Sequence, residues 1–221
     1  AELDGDAELG PRNLKMALRR LRRFARSGAE DELDLDGTIK ATARDGGLIN
    51  IAMRPQRRNA VSVLLLLDIG GSMDDHVAAA EALFGAARAE FKHLVHYYFH
   101  NFFYDTLWTQ ARRSSADEVP LLDVLNRYGP HWRVVIVGDA AMHPWEILAQ
   151  GGCNEAWNDE PGQVWFQRLQ AHFPHLVWIN PVPAERWPYT QSTTLVRQLL
   201  EDRMYPLTPD GLARAMTELA R

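Results

Sequence analysis

The sequence predicts an α/β fold with three layers, in which helices cover both faces of a doubly wound, mostly parallel sheet. Apolar segments of strand length alternate with amphipathic segments of ten or more residues, the pattern of strand–helix–strand units. The apolar segments show little polar alternation, so both of their faces are expected to be buried. Only one residue separates the strand segments 94–100 and 102–108, which predicts a hairpin and therefore one antiparallel edge strand.

The individual elements follow from the spacing of apolar residues along the chain. Residues 11–26 repeat apolar side chains at helical spacing and start with Pro11, which predicts a first helix. A short helix starting near Asp36 and a strand at 48–53 come next. The remaining strands are predicted at 61–67, 94–100, 102–108, 132–139 and 176–182, and the remaining helices at 74–92, 120–128, 160–172, 192–203 and 209–220.

Length and composition limit the domain organisation and the class of protein. The 221 residues suffice for a helical N-terminal extension with one edge strand at 1–58 and an α/β domain at 59–221. A net charge of −5 argues against a protein whose whole surface binds nucleic acid. The single cysteine, Cys153, excludes an intrachain disulfide. The acidic start AELDGDAELG does not resemble a secretory leader, so we expect a cytoplasmic protein.

Two of the predicted strands end in an aspartate, at Asp68 and at Asp139. The carboxyl ends of parallel strands lie at one edge of a sheet, where ligands bind, so both carboxylates are expected on that edge, called the rim below. Together with the hydroxyl of Ser72 they offer the hard oxygen ligands that Mg²⁺ prefers. The alternative is that Asp68 and Ser72 only cap the following helix.

An enzyme would use the same aspartate differently. Asp68 at a strand end could act as the nucleophile of a metal-dependent phosphohydrolase, but such sites usually have a second acid two residues later, where this chain has Gly70. No glycine-rich nucleotide-binding motif and no G-x-S-x-G elbow follows a strand. We therefore expect a non-catalytic protein, with the phosphohydrolase as the alternative.

The stretch DIGGSM at 68–73 resembles the metal-ion-dependent adhesion motif D-x-S-G-S-M of von Willebrand factor A domains. An arginine-rich first helix, the segment DGTIKAT and a GG turn before the motif are similar to the CoxE-like bacterial branch, and the resemblance spans about residues 30–205. It implies a von Willebrand factor A fold in which Asp68, Ser72 and Asp139 hold Mg²⁺ or Mn²⁺.

The chain departs from the family motif at two places. Gly70 stands where the motif has its first serine, so only the backbone of this residue remains for a metal. The family also uses a threonine from the loop before a mid-domain helix. That position falls near Val119, and the candidates to replace the threonine are Ser114, Ser115 and Asp117. Weak cation binding and a vestigial metal site are the two alternatives that follow.

The resemblance also implies a partner, because CoxE-like proteins are associated with MoxR-type AAA+ ATPases. Such a protein would act as an adaptor or chaperone in the maturation of a client enzyme or in metal insertion into it. Trp145, Glu146 and Trp157 follow strands that end on the rim and are the candidates for partner contact, because aromatic residues are enriched at interface centres. Alternatively, these tryptophans and Trp187 cover the end of the core.

Two further groups of residues have a functional and an ordinary interpretation. His93, His96 and His100 could form a zinc site with Asp105, although polar histidines at strand ends are common. The arginines on one face of the first helix could bind phosphate or an acidic partner, or form the solvated face of an amphipathic helix.

Overall fold

The computed structural model describes residues 10–24, 32–46, 48–49, 51–54, 61–152 and 157–221. The helices found there are α1 (Pro11–Phe24), α2 (Leu35–Arg44), α3 (Val77–Glu90), α4 (Leu121–Arg127), α5 (Pro144–Leu148), α6 (Gly162–His172), α7 (Gln191–Leu199) and α8 (Pro209–Leu219). The strands are β1 (Glu32–Leu33), β2 (Met53–Arg54), β3 (Ser62–Asp68), β4 (His93–Phe99), β5 (Thr106–Trp108), β6 (Glu118–Pro120), β7 (Arg133–Val137), β8 (Leu176–Asn180) and β9 (Met204–Pro206). Short 3₁₀ helices cover Gly71–His76, Ser115–Asp117 and Ala184–Tyr189.

In the described part of the chain, the main sheet has seven strands in the order β6-β5-β4-β3-β7-β8-β9. β3 pairs in parallel with β4 on one side and with β7 on the other, and β8 and β9 continue the parallel part. β5 runs antiparallel to both of its neighbours, and β6 lies outside it as the edge strand. The predicted α/β fold with a mostly parallel sheet is confirmed, and β3 lies at its centre.

Helices bury both faces of this sheet, because successive side chains of a strand point to opposite sides. Leu64 and Leu66 of β3 belong to an apolar cluster shared with α4, α5, α6 and α7. Val63, Leu65 and Leu67 point the other way, into a cluster shared with α1, α3 and α8. The strand is therefore apolar on both faces, and its first charged residue comes where it leaves the core, at Asp68.

Helix α1, which falls in the predicted extension, packs against α3 and α8. Its apolar stripe is buried through Leu14, Leu18 and Leu21. On the other face, Nε of Arg19 donates to Oε1 of Glu90 at 3.1 Å, so one arginine of this face forms an ion pair with α3. The domain boundary between residues 58 and 59 stays a prediction.

Residues 32–54 form a small unit outside the main sheet. β1 and β2 pair antiparallel, and α2 lies between them in the chain. The carboxylate of Asp34 accepts a hydrogen bond from the amide of Gly37 at 3.0 Å and caps α2, two residues before the predicted start at Asp36. The strand predicted at 48–53 is represented by β2, which pairs with β1 and not with the main sheet.

The elements that differ most from the sequence prediction are short or irregular. Of the strand predicted at 102–108, only Thr106–Trp108 pairs as β5. Phe102 makes an isolated antiparallel bridge to His100 but lies outside a regular strand, as does Phe103. Both rings are buried, with Phe103 stacked on Phe99 at a centroid distance of 4.3 Å. β6, α5 and β9 have three to five residues each, which is too short for a periodic signal. The search of the described residues for a helix able to cross a membrane found none.

Candidate functional site

Asp68 lies at the end of the central strand β3, on the rim, and only 5% of its surface is exposed. Its Oδ1 atom accepts hydrogen bonds from the amide of Gly70 at 2.8 Å and from the amide of Asn101 at 3.0 Å. Its Oδ2 atom is buried and has no hydrogen-bond partner among the described residues. The two amides therefore fix the carboxylate and leave one oxygen without a donor.

The neighbouring strand β7 brings the second aspartate to the same place. A Cβ atom on Gly138 would lie 3.1 Å from Oδ2 of Asp68 and 3.2 Å from the ring of Trp178, so any larger residue would crowd both side chains. The next residue, Asp139, is 3% exposed, and its Oδ1 atom accepts from the amide of Ala141 at 2.9 Å. Both aspartates thus lie at the carboxyl ends of adjacent parallel strands.

Ser72 lies at the outer side of this site. It is exposed in the first turn of the 3₁₀ helix Gly71–His76, and its hydroxyl donates to the carbonyl of Ala141 at 3.4 Å. That carbonyl belongs to the loop after β7, so Ser72 contacts the loop that carries Asp139. The structure brings Asp68, Ser72 and Asp139 to one rim, and their role as metal ligands stays a prediction.

A third carboxylate, that of Glu146, joins the site from α5. Glu146 is 3% exposed, and its Oε2 atom accepts a hydrogen bond from Nδ2 of Asn101 at 3.0 Å. Its other oxygen accepts from the amide of His143 at 3.3 Å in a capping box at the start of α5. The sequence suggested Glu146 for partner contact, whereas the structure buries its carboxylate beside Asn101. Asp68, Asp139 and Glu146 are called the acidic cluster below.

The electrostatics of the cluster centre on Asp68. Its pKa is raised to about 7, first because burial disfavours the charged carboxylate, and further because Asp139 and Glu146 are negatively charged neighbours. The hydrogen bonds from Gly70 and Asn101 oppose this shift. A cation next to a buried carboxylate has the opposite effect and stabilises its charge.

The residues present fit a hard divalent cation on the chemistry of their donors. Asp68 and Asp139 supply carboxylate oxygens, one of them a buried oxygen without a hydrogen bond, and Ser72 supplies a neutral hydroxyl. Mg²⁺ typically takes one or two protein carboxylates and keeps several waters. In the described part of the chain no three His, Cys, Asp or Glu side chains are arranged to hold a metal, so this fit depends on neutral oxygens beside the two aspartates.

The polar residues that hold the loop after β7 were not predicted from the sequence. Nδ2 of Asn180 donates to the carbonyl of Asp139 at 2.8 Å, and the hydroxyls of Ser192 and Thr193 donate to the carbonyl of Ala140 at 2.8 and 3.2 Å. Ala140 itself has a φ of 55°, an uncommon value for a non-glycine residue. Their signal in the sequence was weak, an asparagine at a strand end and two hydroxyl residues at a helix start.

Ser114 and Asp117 lie in the connection between β5 and β6. The hydroxyl of Ser114 donates to the carboxylate of Asp117, which also accepts from Nε of Arg112 at 3.0 Å. Because β5 runs antiparallel to β4, with Tyr98 opposite Trp108, the chain after Trp108 leads away from the rim. The structure does not bring this pair to Asp68.

The tryptophans suggested for partner contact divide into exposed and buried ones. Trp145, at the start of α5, is 53% exposed, and Trp157 is 73% exposed. Trp187 is buried, with its Nε1 atom donating to the carbonyl of Val182 at 2.8 Å, so it covers the core. Cys153 lies outside the described residues.

Of the three histidines suggested for a zinc site, His96 packs among aromatic rings. The ring of His96 lies edge-on to Phe84 and Tyr98, at centroid distances of 4.8 and 5.6 Å. Burial, and secondarily the positive charge of Arg88, lowers its pKa, which favours the neutral ring in this aromatic environment.

Comparison with known families assigns the chain to one of them. The model of the family described as VWA domain containing CoxE-like protein matches residues 7–127, more than half of the chain. The chain belongs to this family. The resemblance to CoxE-like von Willebrand factor A proteins is thereby confirmed, and members of the CoxE-like family are generally non-catalytic. No curated protein and no solved structure matches the chain.

The matched range divides the residues of the site. Asp68, Gly70, Ser72 and Asn101 of this CoxE-like chain fall inside it, whereas Asp139 lies beyond its end, as does Glu146. The family match covers residues 7–127, whereas the resemblance predicted from the sequence spans about residues 30–205. The match therefore begins and ends earlier in the chain.

Proposed function

We propose that this CoxE-like protein is a non-catalytic interaction module that binds a partner protein through the rim, with Mg²⁺ or Mn²⁺ held by Asp68, Ser72 and Asp139. The partner is a MoxR-type AAA+ ATPase, a client enzyme, or both. In this proposal the protein works in the cytoplasm as an adaptor or chaperone during maturation of the client or metal insertion into it.

One observation carries the cation part of this proposal, namely the buried Oδ2 atom of Asp68. A buried carboxylate oxygen without a donor costs stability, and the charges of Asp139 and Glu146 add to that cost. The hydrogen bonds from the amides of Gly70 and Asn101 use Oδ1 of Asp68 and do not account for Oδ2. Above the pKa of Asp68, binding of a cation would offset both the missing donor and the repulsion.

The residues around Asp68 prepare the site for such a ligand. The amides of Gly70 and Asn101 hold one carboxylate oxygen, which orients the other toward the loop after β7. Ser72 is exposed, so its hydroxyl is accessible from solvent at the outer side of the site. When bound, Mg²⁺ or Mn²⁺ would offer an open coordination position to an acidic group of the partner, which makes the interaction cation-dependent.

The surroundings of the rim suit contact with a protein. Trp145 begins α5, the same helix whose Glu146 contacts Asn101, and its ring is half-exposed. Trp157 offers a second exposed ring. Tryptophan is enriched among the residues that dominate binding energy. The association of the CoxE-like family with MoxR-type ATPases supports the choice of partner.

The test combines thermal melting with capture of a purified MoxR-type ATPase. A cation that binds only the folded state raises the melting temperature with concentration, so Mg²⁺ or Mn²⁺ should stabilise the wild type relative to EDTA. Asp68→Ala should lose both this rise and the cation-dependent capture. Asp74→Ala, at an exposed acid in the same 3₁₀ helix, is the matched control and should retain both.

The outcomes separate this proposal from its alternatives. Capture that persists in EDTA and in Asp68→Ala would show an adaptor with a vestigial metal site. Turnover of phosphate esters by the wild type that disappears in Asp68→Ala would establish a phosphohydrolase instead. No melting shift with either cation would contradict the metal part directly.

A further inference from the structure

The residue that stands closest to the missing serine of the motif is Asn101. It follows β4, the strand paired with β3, and its amide donates to Oδ1 of Asp68 at 3.0 Å. Its φ of 57° is in the left-handed region, which asparagine tolerates better than most residues. This backbone conformation turns the chain sharply after β4 and holds the Asn101 side chain beside the motif loop.

The side chain of Asn101 occupies the space that a side chain at position 70 would need. A Cβ atom built on Gly70 would overlap Oδ1 of Asn101, and it would lie 3.3 Å from Oδ1 of Asp68. A serine at position 70 and the present position of Asn101 therefore exclude each other. The absence of a side chain at Gly70 thus leaves room for Asn101. The amide oxygen of Asn101 lies where the serine side chain would begin.

The orientation of this amide is fixed by Glu146. Its Nδ2 atom donates to Oε2 of Glu146 at 3.0 Å, and an ionised carboxylate accepts hydrogen bonds but cannot donate them. The NH₂ group of Asn101 must therefore face Glu146, so the carbonyl oxygen faces Gly70 and the Asp68 side of the cluster. Glu146 is in turn held by the amide of His143 in the cap of α5.

We propose that Oδ1 of Asn101 replaces the missing serine hydroxyl as a neutral oxygen ligand of the divalent cation. This inference rests on the proposed cation site and names one further ligand of it. Asparagine carbonyls are established ligands of hard cations, and an uncharged oxygen adds no repulsion to a cluster that already holds three acidic side chains. The departure from the motif at Gly70 is then a substitution of one oxygen donor for another.

The test is a double-substitution cycle on Gly70 and Asn101, read out by titration of Mg²⁺ and Mn²⁺ and by melting temperature in EDTA. Asn101→Gly removes the amide oxygen while keeping a residue that adopts positive φ without strain. We expect it to weaken cation binding by at least about tenfold, the lower range of loss for groups that support a metal site. Gly70→Ser alone should lower the melting temperature in EDTA, because the new side chain collides with Asn101.

The decisive variant is the double substitution of Gly70→Ser with Asn101→Gly, which restores the serine of the motif and empties the space that it needs. It should recover most of the lost cation affinity although the hydrogen bond to Glu146 is still absent. A purely structural role of Asn101 predicts no such recovery.

The results distinguish this inference from the proposed function. If the wild type binds cations and Asp68→Ala does not, while Asn101→Gly binds with unchanged affinity, the site is right and the role of Asn101 is wrong. The same conclusion follows if the double variant stays as weak as Asn101→Gly. If the wild type binds neither cation, both proposals fail together.

Discussion

The two loops that carry the aspartates of the rim are built in opposite ways. The loop after β7 is held on all sides, since Asn180, Ser192 and Thr193 bind its carbonyls and Asp139 accepts from the amide of Ala141. At the end of β3, Asp68 accepts hydrogen bonds through one oxygen only, from Gly70 in the following loop and from Asn101 after β4, and its other oxygen is buried without a donor. The polar groups of the loop after β7 are therefore satisfied by the protein itself, whereas one oxygen of Asp68 is not.

This difference also assigns separate roles to the hydrogen bonds of the rim. Bonds to the carbonyls of Asp139 and Ala140 stabilise the folded protein whether or not a cation is present. The unsatisfied oxygen of Asp68 destabilises the folded protein, and in our proposal a bound cation offsets this cost. Substitutions in the two loops should therefore change stability in opposite directions, and that contrast can be tested.

Breaking the fixed loop should have the largest effect. Asn180 is fully buried, donates to the carbonyl of Asp139 at 2.8 Å and accepts from the amide of Val182 at 2.8 Å. Asn180→Ala leaves a buried acceptor and a donor without partners, so it should lower the free energy of unfolding by about 3 kcal/mol. Urea denaturation measures this loss.

The matched control for Asn180→Ala is Gln191→Ala, at an exposed position of α7. It should change the free energy of unfolding by less than about 0.5 kcal/mol. A loss below about 1 kcal/mol in Asn180→Ala would mean that the loop after β7 does not depend on this side chain.

Asp68→Asn should act in the opposite direction. In EDTA at pH 8 the neutral amide removes the buried charge and its repulsion from Asp139 and Glu146, so the variant should be more stable than the wild type by roughly 2 kcal/mol. The folded wild type holds a proton on Asp68 up to its pKa of about 7, whereas the unfolded chain loses that proton near the ordinary value of 3.8. Wild-type stability therefore falls as the pH rises from about 4 to 7.

The pH profile in EDTA separates this explanation from a general effect of the substitution. The advantage of Asp68→Asn should be largest above pH 7 and should shrink as the pH falls below 7, because the wild-type carboxyl is then protonated in the folded state. Adding Mg²⁺ at pH 8 should stabilise the wild type and not the variant. An advantage that is constant between pH 5 and 8 would contradict the raised pKa of Asp68.

The same contrast explains how far the sequence could predict the site. Asp68 and Asp139 were predictable because each ends an apolar run, and parallel strands bring their carboxyl ends to one edge. The three-layer fold followed from the same alternation of strands and helices. Both are local patterns whose spatial meaning is fixed by general rules of chain geometry.

Residues that act across elements were not predictable in this way. Asn101 looked like a simple turn residue, and its place beside Gly70 depends on the pairing of β3 with β4 and on a positive φ. Glu146 looked like a surface acid, but the cap of α5 turns its carboxylate inward to Asn101. Similarly, Phe102 and Phe103 have strand composition but lie outside a regular strand, with their rings packed against Phe166.

Ser72→Ala should have the smallest effect on stability. It nevertheless tests whether Ser72 belongs to the cation site or only supports the loop after β7. Its hydroxyl is exposed and makes a long contact of 3.4 Å with the carbonyl of Ala141, so its loss in EDTA should change the free energy of unfolding by less than about 0.5 kcal/mol. The rise in melting temperature with Mg²⁺ should nevertheless decrease, because a neutral oxygen of the cation site is lost. Ser72→Thr keeps the hydroxyl and should retain the rise. If Ser72→Ala lowered stability in EDTA but left the cation effect intact, Ser72 would belong with the fixed loop after β7, and the cation site would be limited to the side chains around Asp68.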